Sequence, residues 1–158
     1  MLRKLISKRF WSFVIRKSLK QTPKIKLKKR KLLSSDSKTI KMKTLIWLDD
    51  LRDPKDVRLD WLAYSPIGKE VEVIWVKNMN EFVDWIQANG LPDGICFDHD
   101  LGENEPTGYD CAKWLVEYCL DNKVLPPLWA CQSANPVGKV NINRLLRSFI
   151  LRFESEFN

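Results

Sequence analysis

Two short apolar runs in this chain stop abruptly at carboxylates, and no other feature restricts its fold as much. Thr44-Leu45-Ile46-Trp47-Leu48 stops at Asp49-Asp50, and Ile95-Cys96-Phe97 stops at Asp98-His99-Asp100. A short apolar run bounded by turn signals reads as a buried strand. Strands buried on both faces belong to parallel sheets covered by helices. In open sheets of that kind, ligands bind beyond the carboxyl ends of the strands. Carboxylates at two such ends therefore point to a site as well as to a fold.

The rest of the chain alternates in the same manner. Val71–Val76 reads as a second strand, followed by a helix that Asn80 is expected to cap, with Phe82, Trp85 and Ile86 facing inward and Asn89-Gly90 ending it. Thr107-Gly108-Tyr109-Asp110 opens a helix in which Cys111, Ala112, Leu115, Val116, Cys119 and Leu120 recur at threes and fours. Pro126-Pro127 precedes a strand through Leu128–Cys131. The stretch Asn135–Lys139 is read as a loop before a last helix, with Ile142, Leu145, Leu146, Phe149, Ile150 and Phe153 as its buried stripe. Residues 55–70, with Val57, Leu59, Trp61 and Leu62, suit either a short helix or an irregular covering segment. Strand and helix in repetition predict an α/β domain, a parallel sheet of about four strands with helices on both faces. A flavodoxin-like strand order of 2-1-3-4 would bring Asp49, Asp50 and Asp98 to one edge, with Ser133 beside them.

The net charge of +7 averages two unlike parts. Residues 1–41 hold 15 Lys and Arg against one acid, Asp36, whereas residues 42–158 hold 12 against 19 acids. The domain is expected to be 42–158 and acidic, with 1–41 a basic tail that is disordered or an over-extended start ahead of Met42. Leu2, Leu5, Ile6, Phe10, Phe13 and Val14 among its basic residues suit contact with nucleic acid or an anionic membrane. Cys96, Cys111, Cys119 and Cys131 form no C-x-x-C pair and no zinc spacing. They read as buried free thiols, which implies a reducing, cytoplasmic setting.

Three carboxylates that meet at a strand-end crevice repel one another unless a cation lies among them. Mg²⁺ suits Asp49, Asp50 and Asp98, because it takes carboxylate oxygens and keeps positions for water or phosphate. Histidine ordinarily titrates near neutrality, so His99 is the candidate for proton transfer. Ser133, Asn135, Lys139 and Arg52 are candidates to hold phosphate oxygens. Asp100 and Gln132 are expected to stand behind these groups, Asp100 orienting His99. Each piece has a plainer reading: a strand-end Asp also caps turns, Lys139 and Arg52 also suit a surface, and Asp110 suits a helix's first turn. Gly102 and Gly108 are read as needed for backbone geometry alone.

Four ordered stretches also resemble a known family. Leu48–Pro54, Asp98–Gly102, Thr107–Asp110 and Ser133–Gly138 are similar to the pattern L-D-D-x-R-x-P, D-H-D-L-G, T-G-x-D and S-A-N-P-V-G of the cyclic-phosphate-processing receiver-like domains, divergent relatives of two-component receivers. The resemblance spans about 44–154 and implies a receiver-like fold, Mg²⁺, and a phosphoesterase acting on cyclic or terminal nucleotide or RNA phosphates. Two departures stand out. No fifth strand with the receiver lysine follows the last helix, which argues against phosphorelay. Gln132 stands where a second histidine is expected, which leaves His99 as the one acid/base group. Two further readings follow: a stand-alone receiver that accepts phosphate on Asp98, and a non-catalytic nucleotide-binding module.

Overall fold

The computed structural model describes residues 41–56 and 58–157. The basic tail, apart from Lys41, and Val57 lie outside the described residues. Four strands, β1 (Lys43–Leu48), β2 (Val71–Val76), β3 (Gly94–Phe97) and β4 (Leu128–Cys131), form one parallel sheet in the order β2-β1-β3-β4. Three α-helices, α1 (Met79–Asn89), α2 (Gly108–Asn122) and α3 (Pro136–Phe157), follow the second, third and fourth strands. This is the flavodoxin-like arrangement expected from the alternation. β1 is central and pairs with β2 along its whole length, Lys43 with Val71 through Leu48 with Val76, and with β3 from Leu45–Gly94 to Leu48–Phe97.

The two faces of the sheet are covered differently, because side chains alternate along each strand. Ile46, Leu48, Ile95 and Phe97 face the three α-helices and pack with Phe82 and Ile86 of α1, Cys111, Leu115 and Cys119 of α2, and Ile142, Leu146 and Phe149 of α3. Leu45, Trp47 and Cys96 face the other way, against Trp61, Leu62, Ile67, Val71, Val73, Trp75 and Ala130. Helix on this second face is limited to a 3-10 turn, Trp61–Tyr64, within an otherwise irregular segment. That settles the ambiguous stretch 55–70 as a covering loop. Right-handed crossovers explain the asymmetry: the connection from β1 to β2 runs outward in one direction, and those to β3 and β4 return in the other.

Helix boundaries follow local chemistry, and two differ from the reading of the sequence. Asn78, not Asn80, caps α1: its side chain accepts from the Glu81 backbone N–H at 3.0 Å, and Glu81 reaches back to the Lys77 N–H at 2.8 Å. Asn135–Lys139 is not a loop but the start of α3. Asn135 is its cap, with Oδ1 accepting from Gly138 N–H at 2.9 Å and its carbonyl from Lys139 N–H at 3.1 Å, and Pro136 takes the first helical position. α2 opens on a capping box between Thr107 and Asp110, as the sequence suggests. Among the described residues no helix is long and apolar enough to cross a membrane.

Candidate functional site

The carboxyl ends of β1 and β3 lie side by side in the sheet, so the residues that follow them are neighbours. Asp98 N–H still donates to the Leu48 carbonyl at 2.8 Å, which extends the ladder one step and brings Asp98 against Asp49. One carboxylate oxygen from each of Asp49, Asp50 and Asp98 falls within 4.8 Å of the others. They line a cleft of about 290 Å³ together with Leu51, Arg52, Asp100, Gly102 and Ala134. Asp49 is fully buried and Asp98 only 6% exposed.

Each of these two carboxylates is held by backbone N–H through one oxygen and by a side chain through the other. Asp49 Oδ1 accepts from the backbone N–H groups of Leu51 (3.0 Å) and Arg52 (2.7 Å). Asp98 Oδ1 accepts from the His99 N–H at 2.7 Å. Both Oδ2 atoms turn to the same partner, Arg52 Nη1, at 3.2 Å for Asp49 and 3.0 Å for Asp98. One guanidinium nitrogen is thus the charge that balances two buried carboxylates, without which their burial would be costly. The Arg52 side chain is 29% exposed, so it can swing out without opening the core.

Tryptophans from the second face hold this acidic loop, a role the sequence did not reveal. Trp47 and Trp75 are register partners on β1 and β2. Trp75 Nε1 donates to the Asp49 carbonyl at 2.7 Å, and Trp47 Nε1 donates to the Arg52 carbonyl at 3.0 Å. The Arg52 guanidinium carbon lies 5.5 Å from the centre of the Trp61 ring. Trp47 stands two residues before the acidic turn, but Trp75 reaches it only through its register with Trp47.

The remaining candidates form a second group, along β3, β4 and the start of α3. The imidazole of His99 packs on Gly138 in the first turn of α3; its Nδ1 is buried and has no hydrogen-bond partner among the described residues. Asp100 does not orient His99: its carboxylate accepts from Asn135 Nδ2 at 3.3 and 3.4 Å. Ser133 is buried and its hydroxyl accepts from Asn135 N–H at 3.1 Å. Gln132 is buried too, donating from Nε2 to the Leu48 carbonyl at 3.2 Å while its Oε1 has no partner. Lys139, half-buried, is not among the residues that line the cleft. Gly102 has φ of 114°, so the turn after Asp100 requires glycine, as expected. Gly108 has no such backbone need; a Cβ there would overlap the Asp98 carbonyl.

The cleft can therefore hold a divalent cation on three monodentate carboxylates. Opposed Mg²⁺ ligands lie about 4.2 Å apart, so oxygens already within 4.8 Å need close only slightly. The backbone bonds on Oδ1 leave Oδ2 of Asp49 and Asp98 as ligands of fixed direction.

Known proteins place this geometry in context. The family model described as the cyclic-phosphate processing receiver domain matches residues 44–148. Among solved structures, the phosphorylated cyanobacterial phytochrome response regulator RcpA aligns with 19% identity and a TM-score of 0.45, covering 72% of this chain and 90% of that one. A fusion carrying the yeast Spc42 trimeric coiled coil aligns with 16% identity and a TM-score of 0.43, covering 70% and 78%. No curated protein matches the chain.

Proposed function

The chain belongs to the cyclic-phosphate processing receiver domains, and from that premise we propose that it is a Mg²⁺-dependent phosphoesterase acting on a cyclic or terminal nucleotide or RNA phosphate. The observation that carries this reading is the convergence of Asp49, Asp50 and Asp98 at adjacent strand ends, two of them with Oδ2 aimed at one point now filled by Arg52 Nη1. Asp49, Asp50 and Asp98 hold the cation. When bound, Mg²⁺ supplies a Lewis acid for a phosphoryl oxygen.

The chain's own residues divide the remaining work. Arg52, which holds both carboxylates in the structure, would be displaced from them by a bound cation. Its backbone stays fixed through Asp49 Oδ1 and Trp47 Nε1, so the freed guanidinium remains at the cleft, where its planar fork suits phosphate oxygens. His99, on the residue after Asp98, gives or takes the proton. Asp100 and Asn135 pair across the β3 and β4 ends.

Gln132 supports a second reading, a module that binds nucleotide phosphate without turnover. Its amide is anchored on the Leu48 carbonyl and offers no acid/base group to complement His99. One assay separates the two. The full chain is incubated with 2′,3′-cyclic nucleotides in Mg²⁺ and in EDTA, beside an Asp98→Ala variant. The phosphoesterase reading predicts turnover in Mg²⁺ alone and at least a hundredfold loss in the variant. Binding without turnover supports the module; equal turnover by wild type and variant refutes the assigned site.

A further inference from the structure

Two glycines in the first turns of helices lie against the Asp98–His99 segment, and neither is explained by its own backbone. Gly108 opens α2 and Gly138 is the third residue of α3; neither has a positive φ. Glycine in a helix is less favourable than alanine, so something else must exclude a side chain. The exclusion is steric in both cases. A Cβ at Gly138 would overlap Cδ2 and Cγ of His99 and stand 2.6 Å from its Cβ. A Cβ at Gly108 would overlap the Asp98 carbonyl oxygen and stand 3.2 Å from the His99 Cα. Gly108 N–H also donates to the His99 carbonyl at 2.8 Å.

From this we infer that Gly138, with Gly108 behind the backbone, is a positioning residue that fixes the His99 ring. α2 sets the peptide of residue 99, and α3 sets the plane of its imidazole. The ring lies with Nδ1 buried and without a partner among the described residues. The inference rests on the reading of His99 as the proton-transfer group, and it adds the residue that aims it.

The test uses the full chain and exploits the fact that His99 is its only histidine, so the ring protons give one unambiguous set of NMR signals. Wild type is expected to show a nuclear Overhauser contact between His99 Hδ2 and the Gly138 Hα protons, and Gly138→Ala to lose the packed ring position. The melting temperature of Gly138→Ala should fall by on the order of 5 °C in the wild-type background, and by clearly less beside His99→Ala, which removes the ring but keeps the Cβ that stands 2.6 Å from the added methyl. In the cyclic-nucleotide assay kcat should fall at least tenfold while Mg²⁺ affinity by calorimetry stays the same. An unmoved ring, or the same change in melting temperature in both backgrounds, overturns the inference. If wild type shows no turnover, the phosphoesterase reading fails while the NMR contact and the stability cycle still decide whether Gly138 positions the ring.

Discussion

Arg52 balances the acidic cluster through a single nitrogen, so it competes for the place a metal would take. Replacing it removes a positive charge about 4 Å from that place, worth a few kcal/mol at an effective dielectric constant near 20 and less at a partly exposed side chain. Arg52→Gln is therefore expected to bind Mg²⁺ about tenfold more tightly by calorimetry, to melt lower in metal-free buffer, and to regain stability on adding Mg²⁺. Weaker Mg²⁺ binding by the variant would show that the guanidinium supports the ion rather than replaces it. The indoles act one step back. Trp75→Phe loses the bond to the Asp49 carbonyl as well as part of the ring's packing, so it should cost at least about 1 kcal/mol, read from the denaturant midpoint. Of these residues, the aspartates were legible because an acid ending an apolar run is unusual. The tryptophans were not, because their partners are set by strand register, which local sequence does not display.

At the scale of elements, the helix starts decide where the second group of site residues stands. Thr107 and Asp110 close a reciprocal box on α2. Asp110 is held down to about 2, first by its bond to Lys113 and then by Thr107. A carboxyl lowered from 3.8 contributes stability that is complete above its ordinary range and is lost as pH falls from there toward about 2. Thr107→Ala should cost about 1 kcal/mol near neutrality and should shrink the loss of stability between pH 4 and pH 2 (about the range just set). An acid transition identical to wild type would contradict this. The sequence displayed this box, but it hid the caps of the other two helices in plain residues. Asn78-x-x-Glu81 competed with Asn80 for the same role, and Asn135-Pro136 is a cap followed by a first-turn proline that reads equally well as a turn. Gly138 was legible only with knowledge of what crosses it, a histidine from another strand end.

For the whole molecule, one sheet separates a helix-covered core from a tryptophan-rich one, and the thiols report on both. Burial pushes Cys96, Cys111 and Cys119 up to about 12, and Cys131 up to about 11. Native protein at neutral pH should leave all four unlabelled by an alkylating reagent over hours, and denaturant should expose all four together. Because these thiols hold their protons more tightly when folded, stability should decline as pH rises past their ordinary value of 9. Rapid labelling of Cys96 would mean that the irregular cover lifts from the sheet, and of Cys111 that α2 does. The parallel sheet was readable from alternation, and the flavodoxin-like order expected for such a chain is the order found. The irregular cover over the second face was not, because it has no period of its own and is placed by Trp61 and Ile67 packing onto strands distant in sequence.

The proposed function depends above all on Asp49, Asp50 and Asp98 sharing one cation at the sheet's carboxyl edge. Crystals of the full chain soaked in Mn²⁺, which takes the same octahedral oxygen ligands as Mg²⁺ and is visible by its anomalous signal, test it directly. A single strong anomalous peak bonded to one oxygen from each of the three carboxylates is expected, with Arg52 Nη1 moved off Asp49 and Asp98. A cleft without a peak, or a peak that leaves Asp98 on Arg52, would contradict it.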